Sequence, residues 1–258
     1  MRQMRTLSVM AAPLPARRRA QLLEILERDG VIQLEPAADE LAVSAMTVRR
    51  DIQDLDASGL VRRVRGGAVA PVLPRAFGER AATRALAKAA IARKALSLIP
   101  TEGAAAFDAS TTSAALLSIL RPEHLLVATN SIDNSTIARA LPGVRAVLVG
   151  GELEERTGSL VGPTAEQVAR SLTFDCFVTS ASAVDAALGT MEVSLEEAAV
   201  KQAFAASARL TVVLADSSKL SQRALAHALD WSAIDVLVTD LDPTDLRLEA
   251  YRSLVEIR

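Results

Sequence analysis

The chain has 258 residues, 50% of them hydrophobic and 23% charged, which excludes a disordered chain and suits one body of about 180 residues beside a small module. No apolar run approaches the ~20 residues of a membrane span, Met1–Ala12 lacks the apolar stretch of a signal peptide, and a single cysteine, Cys176, excludes a disulfide framework or a cysteine-based zinc site. The net charge of −2 is unevenly spread: residues 1–75 hold 12 arginines, no lysine and 9 acids, a net +3, while the rest carries 17 bases and 22 acids, a net −5.

Such asymmetry describes a basic module on an acidic body. The arginines also cluster, as Arg17-Arg18-Arg19, Arg49-Arg50 and Arg62-Arg63. A cytoplasmic protein with no membrane partner is expected.

Met1–Pro15 reads as an unstructured extension, and a later start site is compatible with it. Residues 16–70 read as three short helices and a hairpin. Ala16–Asp29 carries Leu22, Leu23, Ile25 and Leu26 at helical spacing and stops at Gly30. Val31–Leu34 is brief and apolar. Pro36 suits the first residue of a second helix reaching Ala42. After a turn at Val43, Ser44 is placed to cap a third helix running to Ala57, which Gly59 ends. Leu60–Ala70 then reads as two short strands around Gly66-Gly67.

Pro71, Pro74 and Gly78 place a linker at 71–78. A helix is expected over Glu79–Ile99. Beyond it, strand-like runs alternate with helix-like stretches: Ala104–Phe107, Leu125–Ala128, Ala146–Val149, Cys176–Val178, Leu210–Ala215 and Val236–Val238. This alternation predicts an α/β fold with a mainly parallel sheet over residues 79–258.

In the third helix, Val48, Ile52 and Leu55 make a buried stripe, leaving Met46, Arg49, Arg50 and Gln53 on the other face. A helix, a tight turn and a helix with a basic outer face is the geometry that enters a DNA major groove. Arginine forks match guanine edges and phosphates. Arg62, Arg63 and Arg65 on the hairpin would make a wing against phosphates or the minor groove, and Ser44 and Thr47 join the candidate surface. The alternative is that Arg49 and Arg50 form a plain solvated helix face; the whole order of elements favours double-stranded DNA as partner.

These stretches carry a resemblance. RRAQLLEILERDG (Arg18–Gly30) and ELAVSAMTVRRDIQDLDASGLVRRVRGGA (Glu40–Ala68) resemble the N-terminal winged helix-turn-helix domain of DeoR-type bacterial transcription regulators. The family usually has a histidine where Arg65 stands, a change that keeps a polar donor and adds a charge.

In the body, polar residues follow the expected strands: Asp108-Ala109-Ser110-Thr111-Thr112, Thr129-Asn130-Ser131, Gly150-Gly151, Thr179-Ser180, Asp216-Ser217-Ser218-Lys219 and Thr239-Asp240. Ligands bind in the crevice at the carboxyl ends of parallel strands, so these groups describe a site for a hydroxylated, anionic ligand. Ser110, Thr111 and Thr112 open a helix, whose free N–H groups favour phosphate. Asp108 and Asp216 are candidate acceptors for sugar hydroxyls, and Lys219 or Lys201 would neutralise the anion. Singly, each is as readily a helix cap or turn residue.

The same stretches, DASTT, TNS, GGELEERTGSLVGPTAE (Gly150–Glu166), LEEAAVK (Leu195–Lys201) and LADSSKL (Leu214–Leu220), resemble the DeoR-type sensor domain, similar in fold to phosphopentose isomerases. The resemblance spans about residues 17–240 and implies a phosphorylated sugar effector that alters DNA affinity. Ser110 stands where the family commonly has glycine, and SASA (Ser180–Ala183) where glycines are usual; added bulk there points to a smaller or different effector.

Glu197 and Lys201, at i and i+4, suggest a base–acid pair and so a sugar-phosphate isomerase with an appended DNA-binding module, or a plain surface ion pair. His124 and His227 sit in no metal-binding pattern, and no P-loop, nucleophile elbow or dinucleotide fingerprint is present. No cofactor or metal is therefore expected. Cys176 and Trp231 read as core. The expectation is a repressor of a carbohydrate operon acting as a homo-oligomer, its twofold symmetry setting two recognition helices on two half-sites.

Overall fold

The computed structural model describes residues 15–57, 60–64, 66–69, 77–155 and 157–258, without the side chains of Glu27, Ala57 and Arg62. The chain divides into two compact units, residues 1–73 and 74–258. The expected extension before Pro15, Gly59, Arg65 and residues 71–76 of the expected linker lie outside the described residues.

The first unit contains α1 (Pro15–Asp29), β1 (Val31–Gln33), α2 (Leu34–Glu40), α3 (Ala45–Ala57), β2 (Arg62–Val64) and β3 (Gly67–Val69). Its core is the predicted stripe of α1 against that of α3: Leu22, Ile25 and Leu26 with Val48, Ile52 and Leu55. Helix α2 begins at Leu34, two residues before Pro36. The proline sits third, still in the first turn, where its missing N–H costs no helical bond. The helix ends at Glu40, and Ala42 takes a φ of 52° in the turn to α3.

The brief apolar run at Val31 is a strand. β1, β3 and β2 form an antiparallel sheet with β3 in the middle, Gln33 facing Gly67 across the pair. A Cβ at residue 67 would stand 1.8 Å from the Ile32 carbonyl oxygen, so only glycine lets the strands approach.

In the second unit the single expected helix over Glu79–Ile99 is two helices, α4 (Phe77–Ala82) and α5 (Ala85–Ala95), followed by a 3-10 turn at Leu96–Leu98. Thr83-Arg84 breaks it, Arg84 taking a φ of 53°, and α4 already includes Phe77-Gly78 of the expected linker. The order continues β4 (Glu102–Phe107), α6 (Thr111–Leu117), β5 (His124–Thr129), α7 (Ile132–Arg139), β6 (Val144–Leu148), β7 (Glu152–Glu154), β8 (Ser159–Val161), α8 (Pro163–Arg170), β9 (Cys176–Ser180), β10 (Ala183–Asp185), β11 (Gly189–Glu192), α9 (Leu195–Ala205), β12 (Thr211–Leu214), β13 (Ala226–Leu229), β14 (Val236–Val238) and β15 (Glu256–Ile257).

All six predicted runs lie in one seven-stranded sheet, ordered β15-β14-β12-β9-β4-β5-β6, in which every pairing is parallel. Both faces are covered. Ala105, Phe107, Cys176, Val178, Val212 and Leu214 meet α5 and α6 on one side, while Ala106, Ala128 and Phe177 meet α8 and α9 on the other. Two-sided burial is why these strands read as continuous apolar runs. Cys176 is core, its thiol pushed up to about 12 chiefly by burial. The chain winds outward from β4 through β5 to β6, then returns to lay β9 on the other flank of β4. The strand order therefore reverses between β4 and β9, and a ligand crevice is expected at the carboxyl ends there.

Among the described residues no helix is long and apolar enough to cross a membrane, and no cluster of His, Cys, Asp and Glu is fit to hold a metal.

The chain's one tryptophan, Trp231, lies in the second unit, so its fluorescence follows that unit alone. Gly67→Ala should destabilise the first unit by about 2–4 kcal/mol, lowering the urea midpoint of its circular-dichroism transition while the Trp231 transition stays put. A shared, unshifted pair of midpoints would contradict the packing described for Gly67.

Candidate functional site

In the first unit Ser44 and Thr47 hold each other. The Thr47 N–H donates to Ser44 Oγ at 3.1 Å, and the two hydroxyls lie 2.8 Å apart. Together they form the cap expected at Ser44, which starts α3. Met46, Arg49, Arg50 and Gln53 are exposed together, as predicted, and Met46 keeps 56% of its surface. Neither Arg49 nor Arg50 has an ion-pair or hydrogen-bond partner among the described residues.

Arg63 is exposed on β2, its backbone N–H donating to Asp56 at 3.1 Å. The side chain of Arg62 and the whole of Arg65 lie outside the described residues. The Arg17-Arg18-Arg19 cluster is split: Arg18 is buried against Asp51, and Arg19 meets Asp54 at 3.2 Å.

In the second unit the strand ends gather around Asp108, which follows β4 and is 1% exposed. One carboxylate oxygen accepts from the Ser110 N–H at 3.0 Å and the Ser113 hydroxyl at 2.7 Å. The other accepts from the Thr179 hydroxyl and the Ser180 N–H, both at 2.8 Å, and meets the Lys201 ammonium at 3.0 Å. Burial opposes its charge, yet Lys201 and these donors hold it well below the usual carboxylate range.

Asp108 thus ties β4, α6, β9 and α9 together, both its carboxylate oxygens engaged by the protein. Its capacity is spent on the fold.

Lys201 is buried and donates to Glu192, to Asp108 and, at 2.7 Å, to the Ser180 carbonyl. Against the cost of burial, Glu192 and Asp108 raise it above an ordinary lysine. Among the described residues it makes no ion pair with Glu197. That carboxyl accepts from the Ser159 hydroxyl at 3.0 Å and is raised by burial and by the charge of Glu192. In place of the expected i, i+4 pair, Glu197 and Lys201 each take partners on other elements.

Lys219 reaches into the same cluster, donating to Ser180 Oγ at 2.9 Å, and burial lowers it below an ordinary lysine. Ser180, in the SASA stretch, is therefore what seats Lys219, and Ser182 of the same stretch donates to Glu192 at 2.6 Å. Asp216 is engaged by the Ser218 N–H at 3.1 Å and by Arg84 at 2.8 Å. Like Asp108, it is committed to the protein.

Three cations that sequence reading passed over belong here. Arg80 of α4 donates to the carbonyls of Ala109 and Thr157 at 3.3 and 2.9 Å. Arg84, in its left-handed turn, bridges Asp216, Asp240 and the Ser217 hydroxyl. Lys88 is buried, donating to the carbonyls of Arg80 and Thr83. Burial, with the neighbouring charge of Lys219, brings it down to about 8. Their spacing of four residues on one predicted helix was the signal that could have marked them.

The remaining predicted residues have local work. Ser110 caps α6, accepting from the Ser113 N–H at 3.0 Å. Thr111 donates to the Arg80 carbonyl at 3.4 Å. Ser131 caps α7, accepting from the Asn134 N–H at 3.1 Å, and Asn130 donates to the Leu160 carbonyl at 3.2 Å. Gly151 has a φ of 139°, and a Cβ there would stand 2.6 Å from the Val161 carbonyl. No hydrogen bond among the described residues joins Thr112, Gly150 or Gly151 to the charged cluster.

Residues 83–241 match the family described as the DeoR C terminal sensor domain, and residues 18–72 match the DeoR-like helix-turn-helix domain. The HTH-type transcriptional repressor CsqR of Escherichia coli is 31% identical over 93% of this chain and 94% of its own. The Glycerol-3-phosphate regulon repressor of the same species is 27% identical over 86% and 89%. Among solved structures, ribose 5-phosphate isomerase A from Neisseria gonorrhoeae aligns over 53% of each chain at 17% identity with a TM-score of 0.34, a likeness too loose to speak to chemistry. The two family matches follow the two compact units, and the relatives they come with are regulators of transcription rather than enzymes. The chain belongs to the DeoR family of transcriptional regulators.

Proposed function

We propose that this regulator is a repressor of a carbohydrate operon, that it acts in the cytoplasm as a homo-oligomer on two half-sites of operator DNA, and that a phosphorylated sugar at the strand ends releases it. The observation that carries the effector reading is the pairing of Lys88 and Lys219. Both are held below an ordinary lysine by burial, and Lys88 further by the charge of Lys219. Asp216 favours the charge of both, and Glu192 and Asp108 that of Lys219, so what lowers them is chiefly burial, a cost that a further anion would offset. A phosphomonoester would relieve both at once. The name of the Glycerol-3-phosphate regulon repressor fits an effector of this chemistry.

DNA is read by α3, with Arg49, Arg50, Met46 and Gln53 as its outward face and Arg63 on the wing. The route between the functions is α4. This helix follows the linker, buries none of its residues, and is held through Arg80 and Lys88. An anion that recruits Lys88 competes with the carbonyls that fix α4.

Fluorescence anisotropy on labelled DNA from upstream of the protein's own gene, with scrambled DNA as control and a panel of sugar phosphates as competitors, tests the whole reading. Sequence-dependent binding released by one compound is expected; a chain that ignores that DNA and neighbouring promoters would contradict it. Arg50→Ala should weaken operator binding by about tenfold and leave effector affinity as it was.

Lys88→Met removes the anion's partner together with the contacts that help fix α4, so it should weaken operator binding without effector and lose the response to effector. Asp108→Ala behaves differently, because it takes one of two carboxylates from the buried Lys201 ammonium and leaves the Ser113 and Thr179 hydroxyls without that acceptor. The Trp231-monitored unfolding free energy should fall by about 3–5 kcal/mol, and a stable Asp108→Ala chain that merely lost effector would return Asp108 to the ligand.

The affinity for phosphomonoesters should also depend on pH. Lys88 is cationic below about 8 and neutral above it. The phosphate is already largely a dianion at neutral pH. Binding should therefore weaken as pH rises from about 7 to 9, measured by titration calorimetry, and Lys88→Met should flatten that dependence.

A further inference from the structure

The core of the contact between α1 and α3 is apolar, with Leu22, Ile25 and Leu26 on one side and Val48, Ile52 and Leu55 on the other. Such packing is non-directional. By itself it leaves the recognition helix free to roll or slide by part of a residue, and a base-reading surface tolerates about half an ångström.

A buried polar contact also crosses this seam. Arg18 of α1 meets Asp51 of α3 as a fork, Nε on one carboxylate oxygen and the terminal nitrogen on the other at 3.0 Å. The two residues are 9% and 4% exposed. One turn further along, Arg19 and Asp54 repeat the pairing in the exposed rim, where an ion pair contributes little.

A buried ion pair is a poor source of stability, since well-packed apolar residues of similar size often do as well or better. What a two-pronged arginine–carboxylate contact does supply is direction, because both prongs close only in one relative orientation. Asp51 also stands directly after Arg49 and Arg50. Its carboxylate belongs to the helix that faces a polyanion, and the fork holds that charge inside and neutralised.

We propose that Arg18 and Asp51 are a positioning pair for DNA reading, fixing the roll of α3 so that Met46, Arg49, Arg50 and Gln53 present together. This rests on α3 being the helix that reads DNA. The pair acts through α3, without touching DNA itself. It therefore governs discrimination between sequences more than attraction to phosphate, which depends on charge count and salt.

The test uses the full chain and two duplexes: one selected by the parent chain from a random pool, and a scrambled version of it. The double variant Arg18→Met with Asp51→Leu keeps an apolar seam without the fork. Its affinity for the selected duplex should fall by about tenfold or more, its affinity for the scrambled duplex should stay within about twofold, and its thermal midpoint should be unchanged or higher.

Unchanged affinity for the selected duplex would overturn the proposal. So would an equal loss on both duplexes, which marks a damaged module instead of a misaligned helix. Should the double variant not fold, Arg18→Lys keeps the charge without the second prong. It is expected to lose discrimination with scrambled binding preserved, and full discrimination in that variant would overturn the pair's role. A parent chain that selects no duplex at all would remove the DNA-reading assignment of α3, and this proposal with it.

Discussion

A buried ammonium set between two buried carboxylates is the constraint on which the sensor unit depends. Lys201 arrives from α9, Asp108 from the end of β4 and Glu192 from the end of β11, and each is almost wholly removed from water. A charge in that position is tolerable only if paired and hydrogen-bonded. The surrounding donors of Ser110, Ser113, Thr179, Ser180 and Ser182 meet that requirement. The knot sits where the strand order reverses, so the crevice that a doubly wound sheet opens at this point is stitched across by the protein's own charges.

That occupancy sorts the polar residues of the crevice. Groups whose hydrogen-bonding capacity is spent, such as Asp108 and Asp216, shape the site. Groups held against their electrostatic preference, such as Lys88 and Lys219, are the ones with something to gain from a ligand. The same sorting applies to the first unit. Arg18, Arg19 and Arg28 are committed to Asp51, Asp54, Asp29 and Glu40, while Arg49 and Arg50 carry their charge on the open face of α3. Counting arginines measures the module's net charge, and the ion-pair geometry says which of them can neutralise phosphate.

The sequence was legible where one residue's environment follows from its near neighbours. The inner strands β4, β5, β9, β12 and β14 showed themselves because burial on both faces requires unbroken apolar runs, the edge strand β6 by its own short apolar run, and the stripe Val48, Ile52, Leu55 followed from helical period. β15 did not, since Glu256-Ile257 is too short to carry a pattern and is a strand only because β14 lies beside it. The break between α4 and α5 was hidden for a different reason. An alanine-rich stretch favours one helix, and the left-handed turn at Arg84 is held by Asp216, Ser217 and Asp240, all distant in the chain. Asp108 was placed at its strand end, but its protein partners were not legible, because Thr179, Ser180 and Lys201 become its neighbours only when β9 returns to β4.

The α4 segment shows why this arrangement suits a switch. An element fixed by apolar burial resists a small ligand, since displacing it exposes area that no single anion can compensate. α4 has no buried residue, and polar contacts to carbonyls hold it. Such contacts contribute modestly in net terms, because water or a ligand oxygen can replace them. A ligand shifts a conformational equilibrium only by its difference in affinity for the two states. Lys88, one of the two lysines proposed for the phosphate, also helps secure α4, so on that reading binding and release share a charge. That sharing, more than any distance between sites, is what would make the ligand's affinity depend on where α4 lies.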